Sequence, residues 1–288
     1  MLKKMMRDDF GVFILSHGRS DNLKTVRMLK KFGYTGKLYI VIDNEDDTAA
    51  DYYDKFGDKV IMFDKLAVSK TFDTADNFDD RRAVVYARNA CFDMAEKRGL
   101  RYFLELDDDY HGLYFRVVKG GQLASVKVED ADALFEKMIA CLDAIGGLTL
   151  AFTQAGDFIG GKDSRRYRQG IVRKAMNAFF CDVEKRFQFV GRINEDVNTY
   201  VTLGMRGERI FSTCRASIVQ GQTQQNKGGM TELYLDTGTY LKSFYTVMMA
   251  PSCVCVRMMG TSSRRLHHNI NWNLCVPKIL DERHKKSA

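Results

Sequence analysis

Short apolar runs alternate with amphipathic segments along the first part of the chain. The apolar runs that have the length of buried strands are residues 10–16, 38–42, 60–63 and 102–106. Between them, apolar side chains recur at helical spacing over residues 22–32, 48–55 and 84–97. Because a crossover helix returns the chain to the same end of a sheet, this alternation predicts a mainly parallel sheet with crossover helices.

After residue 110 the pattern becomes mixed. Residues 113–118 alternate between apolar and polar side chains, as an antiparallel strand does. Further strands are predicted at 148–153, 178–181, 210–213 and 252–257, and further helices at 130–145, 196–203 and 239–249. No repeat, low-complexity stretch or Pro/Ser-rich linker divides the chain. We therefore predict one continuous α/β domain over residues 1–288.

The composition is that of a globular protein without a membrane span or a disulfide framework. Hydrophobic residues make up 45% of the 288 residues, which is enough for a buried core. The longest apolar runs, such as 10–15 and 247–250, fall far short of the roughly 18 residues that cross a bilayer, and the first residues lack the apolar region of a signal peptide. The seven cysteines are odd in number and contain no CxxC spacing. These features predict a cytoplasmic protein.

The net charge of +7 is concentrated in two segments. Residues 162–174 and 257–288 each carry a local charge of +5, so the rest of the chain sums to −3. The aromatic residues Tyr167 and Trp272 lie within these segments, and basic residues mixed with aromatic ones are typical of nucleic-acid binding. A solvated face and a charged terminal tail have the same composition, so both interpretations stay open at this point.

Three consecutive carboxylates, Asp107, Asp108 and Asp109, follow the last predicted strand of the first part. Ligand sites of open α/β sheets lie at the carboxyl ends of the strands, and charges buried there are costly unless something positive neutralises them. Adjacent carboxylates suit a hard divalent cation, such as Mg²⁺ or Mn²⁺, that holds a nucleotide diphosphate. An ordinary acidic turn after a strand is the alternative.

Polar residues also follow the neighbouring strands. Ser16, His17 and Arg19 come after the first strand, and Asp43 comes after the second. Since the ends of neighbouring parallel strands converge, we expect these side chains to face the acidic run and to contribute to a site for a base, a ribose and phosphates. Arg88 lies inside a predicted helix beside this edge, where it could pair with a phosphate through two nitrogens. An ion pair on a helix face is the alternative for Arg88.

Two later segments could act on an acceptor. The first, residues 194–196, is Asn-Glu-Asp and fits a helix start, where Asn caps the helix and acids complement its dipole. Alternatively, one carboxylate of Glu195 and Asp196 is a general base that deprotonates an acceptor hydroxyl. The loop 220–234 is rich in amides that could read base edges, although a surface loop has the same composition. The histidine pair 267–268 could supply an imidazole to a metal, but such a pair is more often structural.

Several segments, in a fixed order, give the chain a resemblance to a known family. They are FILSHGRSDN (13–22), YIVIDNEDD (39–47), YARNACFDMA (86–95), YFLELDDDY (102–110), FVGRINEDVNTY (189–200), QTQQNKGGM (222–230) and LHHNINW (266–272). Together they resemble the TET-associated glycosyltransferases of bacteriophages, a family that includes enzymes glycosylating hydroxymethylated pyrimidines in viral DNA. The resemblance extends over nearly the whole chain, and residues 112–170 contribute least to it.

The resemblance implies a GT-A-like fold, with a nucleotide-sugar half at residues 1–110 and an acceptor half at 111–288. Asp107 and Asp109 match the DxD element that holds the metal and the donor. Because Asp108 lies between them, the choice of the two acting residues stays open.

The resemblance also implies roles for single residues. Asp43 matches a position that contacts the donor base, and Arg88 matches an arginine that faces donor phosphates. Glu195 and Asp196 match the xED element whose last Asp serves as the base of inverting enzymes, so Asp196 is the predicted base. His268 would be the late metal ligand, in preference to the adjacent His267.

The implied reaction moves a sugar from a nucleotide-sugar, expected to be a UDP-sugar, to the hydroxymethyl group of a pyrimidine in DNA. The implied cofactor is Mn²⁺ or Mg²⁺, and the expected location is the cytoplasm of the infected host cell. The predicted donor-binding residues are Ser16, His17, Arg19, Asp43, Arg88, Asp107 and Asp108. The predicted metal ligands are Asp107, Asp109 and His268. The predicted DNA-binding residues are Arg165, Arg166, Arg168, Gln224, Asn226 and Lys227.

Two alternatives to this function stay open. One is a glycosyltransferase whose acceptor is a glycan, a protein or a small molecule, and it gains if the basic segments are scattered instead of forming one groove beside Asp196. The other is a non-catalytic DNA-binding protein of the same fold. Such a module would bind DNA unchanged, or better, after Asp109→Asn, because clustered carboxylates repel phosphate unless a metal lies between them.

Overall fold

The computed structural model describes residues 5–76, 79–221, 230–259, 264–278 and 282. The strands are β1 (Phe10–Leu15), β2 (Lys37–Asp43), β3 (Val60–Phe63), β4 (Tyr102–Asp107), β5 (Tyr110–Lys119), β6 (Gln122–Lys127), β7 (Thr149–Thr153), β8 (Ile171–Val172), β9 (Ala178–Asp182), β10 (Ile210–Gln220), β11 (Val254–Met259) and β12 (Arg265–Ile270). The α-helices are α1 (Lys24–Lys31), α2 (Ala49–Phe56), α3 (Lys65–Ser69), α4 (Val85–Lys97), α5 (Ala131–Ile145), α6 (Arg165–Gln169), α7 (Glu195–Met205) and α8 (Met230–Met249).

Strands β1 to β10 form one large sheet, in the order β3-β2-β1-β4-β9-β7-β10-β5-β6, with β8 paired to β10. The first four strands along this order are parallel neighbours. From β9 onward the pairs are antiparallel, except that β7 and β10 are parallel. The prediction of an α/β fold, with a parallel first half and a mixed second half, is therefore confirmed.

Strand β1 shows why the first half needs continuous apolar runs. All six of its residues are buried. Val12 and Ile14 pack into the core on one face of the sheet, whereas Phe13 and Leu15 pack into the core on the other. Successive side chains of a strand point to opposite faces, so a strand that is covered by helices on both faces must be apolar throughout.

The chain changes direction directly after β4, at the three consecutive acids. β5 follows at once in sequence, yet it pairs with β10 and β6, and three strands separate it from β4. Thr25 at the start of α1 fixes this turn: its Oγ1 donates to the carbonyl oxygen of Asp107 at 2.6 Å and accepts from the backbone N–H of Tyr110 at 2.9 Å. Its backbone N–H donates to the carbonyl oxygen of Asp108 at 3.1 Å. The acidic turn is therefore held in place by a helix of the first half.

Several elements differ from the sequence prediction. β10 continues to residue 220, past its predicted end at 213, and α8 begins at residue 230 instead of 239. The elements that the pattern did not predict are α3, α6, β6, β8 and β12. α6 has only five residues, too few to show a helical period. β12 carries His and Asn and therefore lacks the alternating apolar residues by which a strand is recognised in a sequence. No helix in the described ranges is long and apolar enough to cross a membrane.

Candidate functional site

The carboxyl ends of β1, β2 and β4 meet at one edge of the sheet. The register pairs Leu15 of β1 with both Val41 of β2 and Asp107 of β4, so the residues after these strands are neighbours. We name this group the acidic edge. Its residues are Ser16, His17, Arg19, Asp43, Asp107, Asp108 and Asp109. The convergence expected from the parallel pattern is therefore present.

Asp108 is fixed by the loop after β1. Its Oδ2 accepts a hydrogen bond from Ser16 Oγ at 2.7 Å, and its Oδ1 lies 3.2 Å from a guanidinium nitrogen of Arg19. Tyr52 of α2 supports both partners, because its hydroxyl lies 2.8 Å from Ser16 Oγ and accepts the backbone N–H of Arg19 at 2.8 Å. Both oxygens of the buried Asp108 are thus occupied by protein donors.

Asp107 and Asp109 keep oxygens that protein groups do not use. Asp109 Oδ2 accepts a long hydrogen bond from Gln220 Nε2 at 3.3 Å, but its Oδ1 is buried without a hydrogen-bond partner in the described part of the chain. Asp107 Oδ1 accepts from Arg88 Nη2 at 3.0 Å, and 23% of its side chain is exposed. Burial raises the pKa of Asp107 to about 7, and burial followed by the charge of Asp108 raises that of Asp109. An orphaned carboxylate oxygen beside a second carboxylate fits a divalent cation.

His268 does not join these acids in a ligand cluster. Over the described residues, no group of three or more His, Cys, Asp or Glu side chains converges as a metal site would require. His268 lies on β12, and burial, followed by the charges of His267 and Lys242, lowers its pKa to about 4. The imidazole is therefore neutral at pH 7, but its role as a metal ligand stays a prediction.

Asp43 is covered by two basic side chains. Its Oδ2 lies 2.9 Å from His17 Nδ1, and its Oδ1 lies 3.3 Å from Lys65 Nζ. The hydrogen bond to Asp43 raises the pKa of His17; burial opposes the ionisation of Asp43, yet the bonds from His17 and Lys65 leave its pKa lowered. A cavity of about 420 Å³ opens beside this group, lined by His17, Glu45, Lys65, Asp79, Asp80, Arg81 and Arg82.

Arg88 lies among carboxylates, and its predicted contact with donor phosphates stays a prediction. Its side chain is 1% exposed, and its guanidinium is enclosed by carboxylates. Nη2 bonds Asp107 at 3.0 Å, Nε bonds Glu195 at 3.2 Å, and Nη1 lies 3.6 Å from Glu105. The alternative for Arg88 was an ion pair on a helix face. Its carboxylate partners instead come from two other elements, β4 and α7. Sequence reasoning missed Glu105, which is fully buried within β4 and whose pKa burial raises to about 8.

The loop before α7 is built by local backbone requirements. Gly191 has a φ of +80°, and a Cβ there would lie 2.1 Å from the amide nitrogen of Asn198, so no other residue fits. Asn194 is also left-handed and makes no side-chain cap, contrary to the simple helix-start interpretation. Its amide instead donates to the carbonyl oxygen of Lys242 at 2.6 Å and to Thr246 Oγ1 at 3.2 Å. The start of α7 is thereby anchored to α8.

Glu195 and Asp196 occupy different surroundings. Glu195 is directed inward to Arg88, as described above. Asp196 accepts the backbone N–H of Val197 through Oδ1 at 2.8 Å, and burial raises its pKa. The charges of Lys242 and Lys174 act on Asp196 in the opposite direction. Of the two acids, Asp196 has the carboxylate that is not committed to an ion pair at hydrogen-bond distance.

The first basic segment reaches this acid. The buried carboxylate of Asp157 binds Arg166 Nη1 at 3.0 Å and also pairs with Lys174. Lys174 in turn acts electrostatically on Asp196. The two other arginines of α6, Arg165 and Arg168, are exposed. We name this group the basic surface. Its residues are Arg165, Arg166, Arg168, Arg173 and Lys174.

The second basic segment meets the first beside α7. Trp272 stacks on Tyr200, which lies one helical turn after Asp196, with ring centroids 5.8 Å apart. The guanidinium of Arg173 lies 5.5 Å from the centroid of Trp272, and its Nη2 donates to the carbonyl oxygen of Cys275 at 2.9 Å. The two basic segments therefore meet beside α7 through Arg173, Trp272 and Cys275. Three predicted DNA-binding residues, Gln224, Asn226 and Lys227, lie outside the described residues.

A larger cavity lies away from these groups. It measures about 980 Å³ and is bounded by α4, α7 and the segment 186–190. None of the residues predicted for the site lines it. Cavity size alone would therefore point away from the residues predicted from the sequence. The strand-end rule would have found Lys65, which follows β3 closely. Glu105 and Lys174 lie in segments that the sequence singles out, but no local pattern shows that Glu105 pairs with Arg88 or that Lys174 acts on Asp196.

Comparisons with known proteins agree with the resemblance. The chain matches the model of the TET-Associated Glycosyltransferase family over residues 10–229. No curated protein sequence matches it significantly. Among solved structures, it is similar to glucosyl-3-phosphoglycerate synthase from Mycobacterium tuberculosis in complex with Mg²⁺ and uridine diphosphate. The identity is 8%, the match covers 91% of this chain and 87% of that chain, and the TM-score is 0.46. It is also similar to a mycobacterial protein, with 10% identity, 90% and 82% covered, and a TM-score of 0.47.

The family model covers most of the chain, including the whole acidic edge and both acids at the start of α7. The family predicted from the sequence is confirmed. This protein belongs to the TET-associated glycosyltransferase family.

Proposed function

We propose that this glycosyltransferase moves a sugar from a nucleotide-sugar, a UDP-sugar in the first instance, to the hydroxymethyl group of a modified pyrimidine in DNA. Residues 1–110 supply the donor site at the acidic edge, and residues 111–288 supply the acceptor site. The observation that carries the DNA acceptor is the meeting of the two basic segments beside Asp196, through Arg173 and Trp272.

The acidic edge supports the donor half of the proposal. Asp107 and Asp109 would hold Mn²⁺ or Mg²⁺, since both retain carboxylate oxygens, whereas Asp108 is occupied by Ser16 and Arg19. When bound, such a cation would offset the charge of the leaving nucleoside diphosphate. The cavity next to Asp43 would receive the nucleoside end of the donor.

The surroundings of Asp196 support the acceptor half. Lys174, between β8 and β9, and Lys242 of α8 both act electrostatically on Asp196, so a polyanion that reaches this acid would meet positive charge. Exposed arginines on α6 extend this charge outward. A glycan or a neutral small molecule would gain nothing from such a surface, whereas phosphates spaced along DNA would release counterions on binding.

The chain's own groups then perform a single displacement. Asp196 accepts the proton of the hydroxymethyl group, and that oxygen attacks the anomeric carbon. The bond from this carbon to the diphosphate oxygen breaks, and the nucleoside diphosphate leaves with the electron pair. The proton stays on Asp196 until solvent removes it. A base placed for the acceptor hydroxyl is what a one-step, inverting transfer requires.

The test incubates the protein with Mn²⁺, a panel of nucleotide-sugars and DNA that contains 5-hydroxymethylcytosine or 5-hydroxymethyluracil. After digestion, mass spectrometry of the nucleosides should show the hydroxymethyl nucleoside with an added sugar. Unmodified DNA of the same sequence is the matched control and should stay unchanged. Transfer to a glycan, protein or small-molecule acceptor, with both hydroxymethylated DNAs left unmodified, would contradict the DNA acceptor while leaving the donor half in place.

A further inference from the structure

We propose that Arg88 is a positioning residue that fixes the metal-side carboxylate Asp107 and the start of α7 relative to each other. Glu195 is then its partner on the acceptor side and not a second base. The inference rests on the proposed function, because it assigns Asp107 to the metal and Asp196 to the proton transfer.

The guanidinium of Arg88 connects two elements that carry the two halves of the site. Its Nη2 bonds Asp107 at the end of β4 at 3.0 Å, and its Nε bonds Glu195 at the first position of α7 at 3.2 Å. Its third nitrogen, Nη1, lies 3.6 Å from Glu105, two residues before Asp107 on the same face of β4. One rigid, planar group therefore contacts β4 twice and α7 once.

The guanidinium and Glu105 are shielded from water. Arg88 is 1% exposed and Glu105 is fully buried, and the rings of Phe179 and Phe189 lie 4.9 and 5.9 Å from the guanidinium carbon. Water cannot replace a lost partner in such surroundings, so removal of the arginine leaves buried carboxylates uncompensated. These acids would then move apart or change protonation, and the distance between β4 and α7 would no longer be set.

The two residues that Arg88 bonds lie close in sequence to the other residues proposed for metal binding and proton transfer. Glu195 precedes Asp196 directly, and Asp107 shares the acidic turn with Asp109. Asn194, directly before Glu195, bonds to Lys242 and Thr246 of α8. Arg88 thus supplies the restraint toward the sheet that Asn194 cannot supply. Lysine is a poor substitute, because a single ammonium cannot reproduce the fixed directions of the two hydrogen bonds that the guanidinium donates to Asp107 and Glu195.

The test compares Arg88→Lys and Glu195→Gln with a matched control, Arg186→Lys, whose arginine also pairs with two carboxylates, Asp93 and Glu96, but at the surface. Mn²⁺ binding is measured by electron paramagnetic resonance without donor or DNA. Arg88→Lys should weaken Mn²⁺ binding by about 10-fold and lower kcat by about 10- to 100-fold, the usual range for partners of metal ligands, with KM for DNA unchanged.

Glu195→Gln should keep Mn²⁺ binding, because Asp107 retains Arg88, and should lower kcat without changing KM for DNA. The double variant should be no worse in kcat than Arg88→Lys alone, because both changes break one link. Arg186→Lys should match the wild type in every measurement. Thermal unfolding identifies variants that do not fold, and if Arg88→Lys is among them, the kcat of Glu195→Gln decides.

The proposal is overturned if folded Arg88→Lys binds Mn²⁺ as the wild type does, or if Glu195→Gln keeps the wild-type kcat. It is also overturned if the only defect of Arg88→Lys is weaker binding of UDP in EDTA, which would indicate a direct phosphate contact. Failure of the proposed function looks different: wild-type protein would modify no DNA, while Arg88→Lys would still weaken Mn²⁺ binding in the absence of donor and acceptor.

Discussion

The acidic edge and the basic surface treat charge in opposite ways. At the acidic edge, three of the four carboxylates are paired with specific protein cations: Asp43 with His17 and Lys65, Asp107 with Arg88, and Asp108 with Arg19. At the basic surface, Arg165 and Arg168 are exposed, and Arg173 rests against the ring of Trp272. Buried charge must be fixed because its desolvation is costly, whereas exposed charge keeps its hydration and can adapt.

This difference teaches what each region can recognise. A buried, pre-paired set of groups has one geometry and suits a small charged ligand and a metal ion. An exposed set of arginines suits a long polyanion that makes many weak contacts. We therefore expect changes at the acidic edge and at α7 to affect chemistry, and changes at the basic surface to affect DNA affinity.

The largest effect is expected from Asp196→Asn. Loss of the base should lower transfer about 10³-fold, within the usual contribution of a general base. Burial raises the pKa of Asp196 above its unfolded value, so its contribution to stability is present at low pH and is lost as pH rises through the folded pKa. The Asn variant, which can still accept the Val197 N–H, should therefore be at least as stable as the wild type at pH 8. Nucleoside mass spectrometry and thermal unfolding measure the two effects; near wild-type transfer would refute the base assignment.

The next effect separates neighbouring acids. Asp109→Asn should lower transfer about 10²-fold and weaken Mn²⁺ binding, because it removes the carboxylate with the free buried oxygen. Asp108→Asn, the matched control at the same turn, should bind Mn²⁺ within about threefold of the wild type, since Ser16 and Arg19 already occupy its oxygens. Mn²⁺ titration by electron paramagnetic resonance checks both. Equal loss in the two variants would mean that the turn acts as a unit. No transfer by the wild type, with DNA binding unchanged or improved in Asp109→Asn, would favour a non-catalytic DNA-binding protein.

A smaller effect is expected at the basic surface. Arg165→Gln combined with Arg168→Gln should raise KM for DNA several-fold and reduce the slope of log affinity against log salt by about 1.8, since each lost phosphate contact removes about 0.9. The kcat at saturating DNA should stay within about twofold, because neither side chain contacts the acidic edge or α7 in the described structure. Arg186→Gln, a change at another exposed arginine, is the control. An unchanged salt slope would exclude these arginines from the DNA contact.

The smallest effect concerns the stability of the acidic edge. The raised pKa of His17 means that its pairing with Asp43 is fully present below about pH 6.5 and is lost as pH rises through the folded value. The lowered pKa of Asp43 means that the contribution of this carboxylate to folding stability is present above about pH 3.8 and is lost as pH falls through its folded pKa. His17→Ala should therefore lower the free energy of unfolding most between about pH 4 and 6.5. The loss should be roughly 0.5 kcal/mol there, because His17 is half-exposed, and should vanish at pH 9. Urea unfolding at pH 5.5 and 9 measures this; an equal cost at both values would contradict the pairing.

Much of the fold could be predicted from local pattern. The strand at Val60–Phe63 begins and ends as predicted, and α4 and α5 each begin one residue after their predicted starts. These segments are covered by the core on defined faces, so their hydrophobic periods are strong. β12 and α6 could not be found in this way, because β12 carries polar residues and is formed by pairing with β11, and a five-residue helix is too short to show a helical period.

The sequence by itself determined the acidic edge, since parallel strands must end side by side, and it indicated the family through ordered motifs. Only the tertiary structure decided how its charges are paired. It enclosed Arg88 among Glu105, Asp107 and Glu195, and among the described residues it left one buried oxygen of Asp109 without a hydrogen-bond partner. It also brought Arg173 to Trp272 across nearly a hundred residues. Strand ends follow from local pattern, whereas the partner of a buried charge depends on which distant groups share its low-dielectric surroundings.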